Sequence, residues 1–185
     1  TTSFSHQESV NTLVAPYSIA VDNRENVFAP QSKKITKLRK VYKATEGVTS
    51  AQLEDFMTIA RKLKGIRKVN NAPTTDTTVE QSQHSTSQMS YDQRTNNYDL
   101  LISQLQNTPN YNPNETEYQI ATLQAEKAQM LQATQGVANT FVPLNNARSI
   151  RNNSMYLSED NLVDTFNKAK DYLFTIVDGT RVEHE

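Results

Sequence analysis

Histidine is the side chain best suited to metal ligation and to proton transfer near neutral pH, and this 185-residue chain has three: His6, His84 and His184. They stand far apart, and nothing in their spacing converges on one ion. No Glu-x-x-His pair falls within a helical pattern, so the ligand set by which helical bundles hold two metal ions is missing. The chain has no Cys, hence no thiolate nucleophile, no cysteine-type zinc site and no disulfide framework. Its four glycines fall singly, which leaves no glycine-rich phosphate loop and no nucleophile elbow. Carboxylates such as Asp22, Glu25, Glu54, Glu126 and Asp171 lie off the apolar stripes and read as a solvated face. The expectation is therefore a protein that is not an enzyme, with no catalytic residues, no cofactor and no metal.

One feature does point toward a partner. Between Lys33 and Lys68 the chain places Lys33, Lys34, Lys37, Arg39, Lys40, Lys43, Arg61, Lys62, Lys64, Arg67 and Lys68 against Glu46, Glu54 and Asp55, a net +8. The remainder holds 8 basic and 17 acidic residues, a net −9, so the overall charge of −1 conceals a dipole in sequence. A basic stretch of this kind can contact phosphates, with a steep dependence on salt. It contains Tyr42 and Phe56 but no aromatic array for stacking bases and no recognition motif. The preferred reading is that it meets an acidic protein surface, within the chain or on a second copy, with charge guiding register. Nucleic-acid binding through 33–68 is the alternative.

A second pair of candidates comes from an internal correspondence. Val10, Pro16, Ala20, Arg24 and Asn26 recur 127 positions later as Val137, Pro143, Ala147, Arg151 and Asn153. Apolar class is kept in Val14 and Phe141, Tyr17 and Leu144, Phe28 and Met155, and Ile35 and Leu162, and Gly47 and Gly179 close the two units. This predicts a duplicated helical unit. Arg24 and Arg151 then occupy equivalent places within otherwise apolar helices, where a guanidinium fork ties a helix to a nearby carbonyl or carboxylate. Pro16 and Pro143 are read as equivalent points where a helix kinks or restarts.

The elements that must position these residues are helices. Val10, Leu13, Val14, Tyr17, Ala20, Val21 and Phe28 recur at spacings of three and four. Ser32 is a candidate cap for a helix with Ile35, Leu38, Val41 and Tyr42 on one face, ending near Gly47. Thr49 and Gln52 form a capping-box pattern before Leu53, Phe56, Met57, Ala60 and Leu63, and Gly65 closes that helix. These two helices make a basic hairpin. Residues 69–88, rich in Thr, Ser and Gln, read as a linker. Met89, Tyr91, Tyr98, Leu101 and Leu105 share the next helical face, stopped by the Asn107–Pro113 turn. A long helix follows from about Glu115 toward Met155, with Ile120, Leu123, Leu131, Val137, Phe141 and Leu144 inward. Ser158 is the expected cap of the last helix, whose Leu162, Val163, Phe166, Ala169, Tyr172, Leu173 and Ile176 are expected to face the core.

Asn145-Asn146-Ala147-Arg148-Ser149-Ile150-Arg151-Asn152, the Tyr111-Asn112-Pro113-Asn114-Glu115 turn and Met89-Ser90-Tyr91-Asp92-Gln93-Arg94 together resemble a family of uncharacterised tandem-repeat helical proteins from Bacteroidota-type bacteria. The likeness covers about residues 10–180 through short motifs. It implies tandem helical repeats joined by a polar linker, each opened by a Tyr-Asn-Pro turn. Here that turn precedes only the second repeat, which implies a first repeat lacking its leading helix. The resemblance implies no activity.

The resulting expectation is an all-α, up-and-down bundle of two related repeats with long kinked helices. Residues 1–68 form the first repeat, 69–88 the linker and 89–185 the second. No apolar run approaches the roughly 18 residues of a membrane span. The partner is expected to be a second copy or another protein.

Overall fold

A computed structural model describes residues 2–66 and 89–176, and these are helical, with no strand among them. The helices are α1 (Thr2–Phe28), α2 (Gln31–Ala44), α3 (Ser50–Lys64), α4 (Tyr91–Gln106), α5 (Ile120–Asn152) and α6 (Leu162–Ile176). A 3-10 turn, Thr116–Tyr118, leads into α5, and a π-helical turn, Asn153–Leu157, leaves it. The 69–88 linker, Arg67, Lys68, His84, Gly179 and His184 lie outside the described residues. The chain divides into two compact units: a core unit of residues 22–135, and a terminal unit that combines the first 21 residues with those from 136 onward. Both halves of the sequence contribute to each unit.

In the core unit the periodic stripes close on one another. On α2 the buried residues are Gln31, Ile35, Leu38 and Tyr42, spaced four, three and four apart, which keeps them on one face. Phe56, Ala60 and Leu63 of α3 and Tyr98, Leu101, Ile102 and Leu105 of α4 meet them, with Phe28, Leu123 and Met130 completing the core. Tyr42 stacks on Phe56 with ring centroids 4.9 Å apart, and Phe28 meets Tyr91 edge-on at 4.8 Å. Each fully buried Leu, Ile or Phe contributes about 1.5–3 kcal/mol relative to exposure.

The ends of α3 follow from local chemistry. Thr49 accepts from the Gln52 backbone N–H at 3.2 Å, and the Gln52 side chain accepts from the Thr49 N–H at 2.9 Å, closing the capping box. At the other end Gly65 adopts φ 67°, and its N–H returns to the carbonyls of Arg61 and Lys62. A Cβ at Gly65 would stand 2.7 Å from the Met89 sulfur, a contact that the flexible Met89 side chain can relieve by shifting, so it is the left-handed backbone that favours glycine.

The start of α2 departs from expectation: the helix begins at Gln31 after Pro30, with no side-chain cap, and Ser32 lies inside it. Proline at a helix entrance has its φ already set and lacks only an N–H that the first turn leaves unpaired in any case.

The terminal unit is built otherwise. Val10, Leu144 and Ala147 form its buried apolar cluster, with Leu13 and Tyr17 packed beside them, and Val137 is buried as well. Tyr17 and Phe141 approach at 5.9 Å. Neither proline begins a new segment: α1 runs through Pro16 and α5 through Pro143. Each proline withholds one N–H from the carbonyl four residues earlier and crowds that carbonyl with its ring, and both prolines are exposed. Phe141, expected inward, is 43% exposed, and so is Leu131 of the core unit, at 54%. The largest correction concerns α6. Leu162, Val163, Phe166, Ala169, Tyr172 and Leu173 are exposed rather than set in a core, as is Phe174, and the Ile176 side chain lies outside those described. The cap of α6 is Asn161 in place of Ser158: its Oδ1 accepts from the Asp164 N–H at 2.8 Å, while its Nδ2 donates to the Asp164 carboxylate at 2.7 Å.

Candidate functional site

The basic residues of the α2–α3 hairpin separate by position on the helix. At about 100° per residue, Lys33, Lys37 and Lys40 fall within about 60° of one another, over a rise of about 10 Å. That stripe is opposite Ile35, Leu38 and Tyr42, whose burial turns it outward. Lys33, Lys37, Lys40, Lys43 and Lys62 are exposed and make no hydrogen bond or ion pair among the described residues.

Lys34, Arg39, Arg61 and Lys64, the other described cations of the hairpin, are engaged. Lys64 donates to the Thr36 hydroxyl across the hairpin at 2.5 Å, and Arg61 donates to Thr58 within α3 at 2.8 Å. Exposed Arg39 reaches the Met57 sulfur at 4.0 Å. Lys34, half-buried, pairs with Glu126 of α5. The hairpin and the acidic second half of the sequence therefore meet inside the core unit through this pair.

Glu126 is the functional-type residue that sequence reasoning placed on a solvated face. Its second carboxylate oxygen accepts from the Tyr98 hydroxyl at 2.7 Å, so one carboxylate joins α2, α4 and α5. Burial first, then the Glu126 hydrogen bond and charge, push the Tyr98 phenol well above its ordinary pKa. The signal was in the spacing: Glu126 stands three residues after Leu123 and four before Met130, on the line of buried residues of α5. Arg94 has the same character between Tyr91 and Tyr98.

Arg94 also takes the role expected of Arg24. Its guanidinium donates to the Phe28 carbonyl at 2.9 Å and to Gln31 Oε1 at 2.9 and 3.1 Å, tying the last turn of α1 to the first of α2. Desolvation lowers its pKa against the opposing effect of Tyr91. Arg24 instead lies 3.9 Å over the Tyr91 ring, with its buried Nε lacking an acceptor. Arg151 donates to Asn152 Oδ1 at 2.8 and 3.1 Å and to Gln7 Oε1 at 3.4 Å. The two corresponding arginines thus sit in different surroundings, Arg24 in the core unit and Arg151 in the terminal unit.

His6 is half-buried with an unpaired Nδ1. Among the described residues no three His, Cys, Asp or Glu side chains form a group able to hold a metal ion. No helix among them is long and apolar enough to cross a membrane.

No family model, curated protein or solved structure matches the chain. The residues themselves carry the functional reading.

Proposed function

We propose that this protein is a non-enzymatic interaction module that docks an acidic protein surface, on a second copy or another chain, through the exposed basic face of the α2–α3 hairpin. The observation carrying this reading is the stripe of Lys33, Lys37 and Lys40, without a partner among the described residues and held outward by the buried face of α2. A stripe on a packed helix presents its charges without first having to order the backbone. Such charges raise the rate of encounter and select register more than they add affinity.

The nucleic-acid alternative draws on the same lysines. Tyr42 and Phe56, the aromatic residues within the hairpin's basic stretch, are buried against each other, so contact there would be with phosphates rather than stacked bases. The correspondence at an offset of 127 supports the further reading of a duplicated helical unit. Pro16 and Pro143 both lie inside the two longest helices, and Val10 and Val137 are both buried.

The test is the absolute mass in solution at low and high salt, for the native chain and for a variant with Lys33, Lys37 and Lys40 changed to Gln. A mass above 20.9 kDa that falls with salt and with the variant supports charge-guided self-association. A monomer in every condition, paired with salt-sensitive retention on DNA or RNA that the variant loses, replaces this reading with the nucleic-acid one.

A further inference from the structure

We propose that α6 is a self-association helix, covered in the native protein by a second copy of this chain. Leu162, Phe166, Ala169 and Leu173 are spaced four, three and four apart, the alternation of a coiled-coil seam. All four are exposed, with Phe166 at 69% and Leu173 at 59%. Val163 and Tyr172, also exposed, border the seam. A 15-residue helix is marginal in water by itself, and among the described residues α6 packs chiefly on the π-helical turn before it. Among the described residues, the apolar face that ordinarily stabilises such a helix is therefore without its cover.

Area and charge choose the occupant. With roughly 150–250 Å² for a fully open aromatic side chain, the five large apolar residues on and beside the seam leave on the order of 600 Å² exposed, within the ~600–1,000 Å² that one partner of a standard interface buries. The charges of α6 are Asp164, Lys168, Lys170 and Asp171, which sum to zero. A neutral helix meets an identical one without net repulsion. An anionic lipid surface, by contrast, is held by helices with an excess of Lys and Arg on the polar face. A two-fold pairing of α6 with α6 is self-complementary, as a closed dimer requires.

This surface uses none of the residues of the basic hairpin, and the inference does not rest on that reading. The experiment is the mass of the full chain by light scattering over a concentration series at low and high salt, for the native protein and for Phe166→Asp with Leu173→Asp. Both positions are exposed in the single chain, so the variant keeps its fold, which far-ultraviolet circular dichroism verifies. Lys168→Gln, on the polar side of α6, serves as the control.

Expected is a native mass of at least twice 20.9 kDa that persists or rises with salt. The double variant should be monomeric, with dissociation shifted at least a hundredfold in concentration, and Lys168→Gln unchanged. A native chain that is monomeric at every concentration overturns the proposal, including one that is monomeric in water and binds phosphatidylcholine vesicles. So does association that the double variant leaves intact. Association that falls with salt and with the hairpin lysine variant alone overturns it while sustaining the proposed function.

Discussion

Tyr42 and Phe166 are both aromatic residues on the apolar stripe of an amphipathic helix, yet one is fully buried and the other is 69% exposed. The difference lies in what stands opposite. In the core unit the stripes of α2, α3 and α4 face one another, and Phe28, Leu123 and Met130 fill the remaining space. In the terminal unit the packed cluster holds three buried residues, Val10, Leu144 and Ala147, and the stripe of α6 faces outward. A three-and-four periodicity thus says that a helix has a face to cover. It does not say whether the cover comes from the same chain. The core unit answers that question within one molecule, and we propose that the terminal unit answers it between two.

The sharpest way to break this comparison is to truncate one aromatic in each unit. Phe56→Ala should cost about 3–5 kcal/mol in chemical denaturation, because it removes a fully buried ring and leaves a cavity among Tyr42 and its neighbours. Phe166→Ala, measured where the chain is monomeric, should stay within about 0.5 kcal/mol of the native protein. Equal losses at the two sites would mean that α6 is covered within the monomer.

The helix caps provide a finer comparison. Thr49→Ala removes the capping box of α3 and should cost about 1 kcal/mol of global stability. Asn161→Ala removes the cap of α6 and should appear instead as faster amide hydrogen exchange along α6, with global stability little changed. Global destabilisation by both would show that the two units unfold together.

The smallest effect is a pH dependence confined to the core unit. The Tyr98 pKa is raised in the folded chain, while an unfolded tyrosine titrates near ~10. Above about pH 10 the unfolded chain therefore binds fewer protons than the folded one, so this group's contribution to stability, complete at lower pH, declines as pH rises. Comparing unfolding midpoints at about pH 9 and pH 11, the decline should be shallower for Tyr98→Phe than for the native chain. Parallel declines would remove Tyr98 as its cause.

Much of the helical plan was legible in the residues. Thr49, Gln52 and Gly65 marked α3 at both ends, and the stripe Ile35, Leu38 and Tyr42 on α2 is buried as expected. Two local readings went astray. Ser32 yielded to Pro30, whose ring geometry opens a helix without a side-chain cap, and Ser158 yielded to Asn161, whose amide both accepts and donates. Neither proline restarts a helix, since α1 and α5 run through Pro16 and Pro143. The candidate site was less legible. The basic stripe could be read from spacing, but Glu126 was read as part of a solvated face and Arg94 was not singled out. Each lies on a line of buried residues, where a long side chain can carry its polar end to a partner on another helix.

What the sequence by itself determined is the set of helices and the face of each that is apolar. Capping, backbone hydrogen bonding and side-chain periodicity all act within about four residues, so neighbours along the chain are enough to specify them. Only the tertiary structure decided that α2, α3 and α4 close around Tyr42 and Phe56, that Glu126 joins Lys34 to Tyr98, and that α6 remains open. Burial is a property of two surfaces in contact, and one strand of residues carries only one of them.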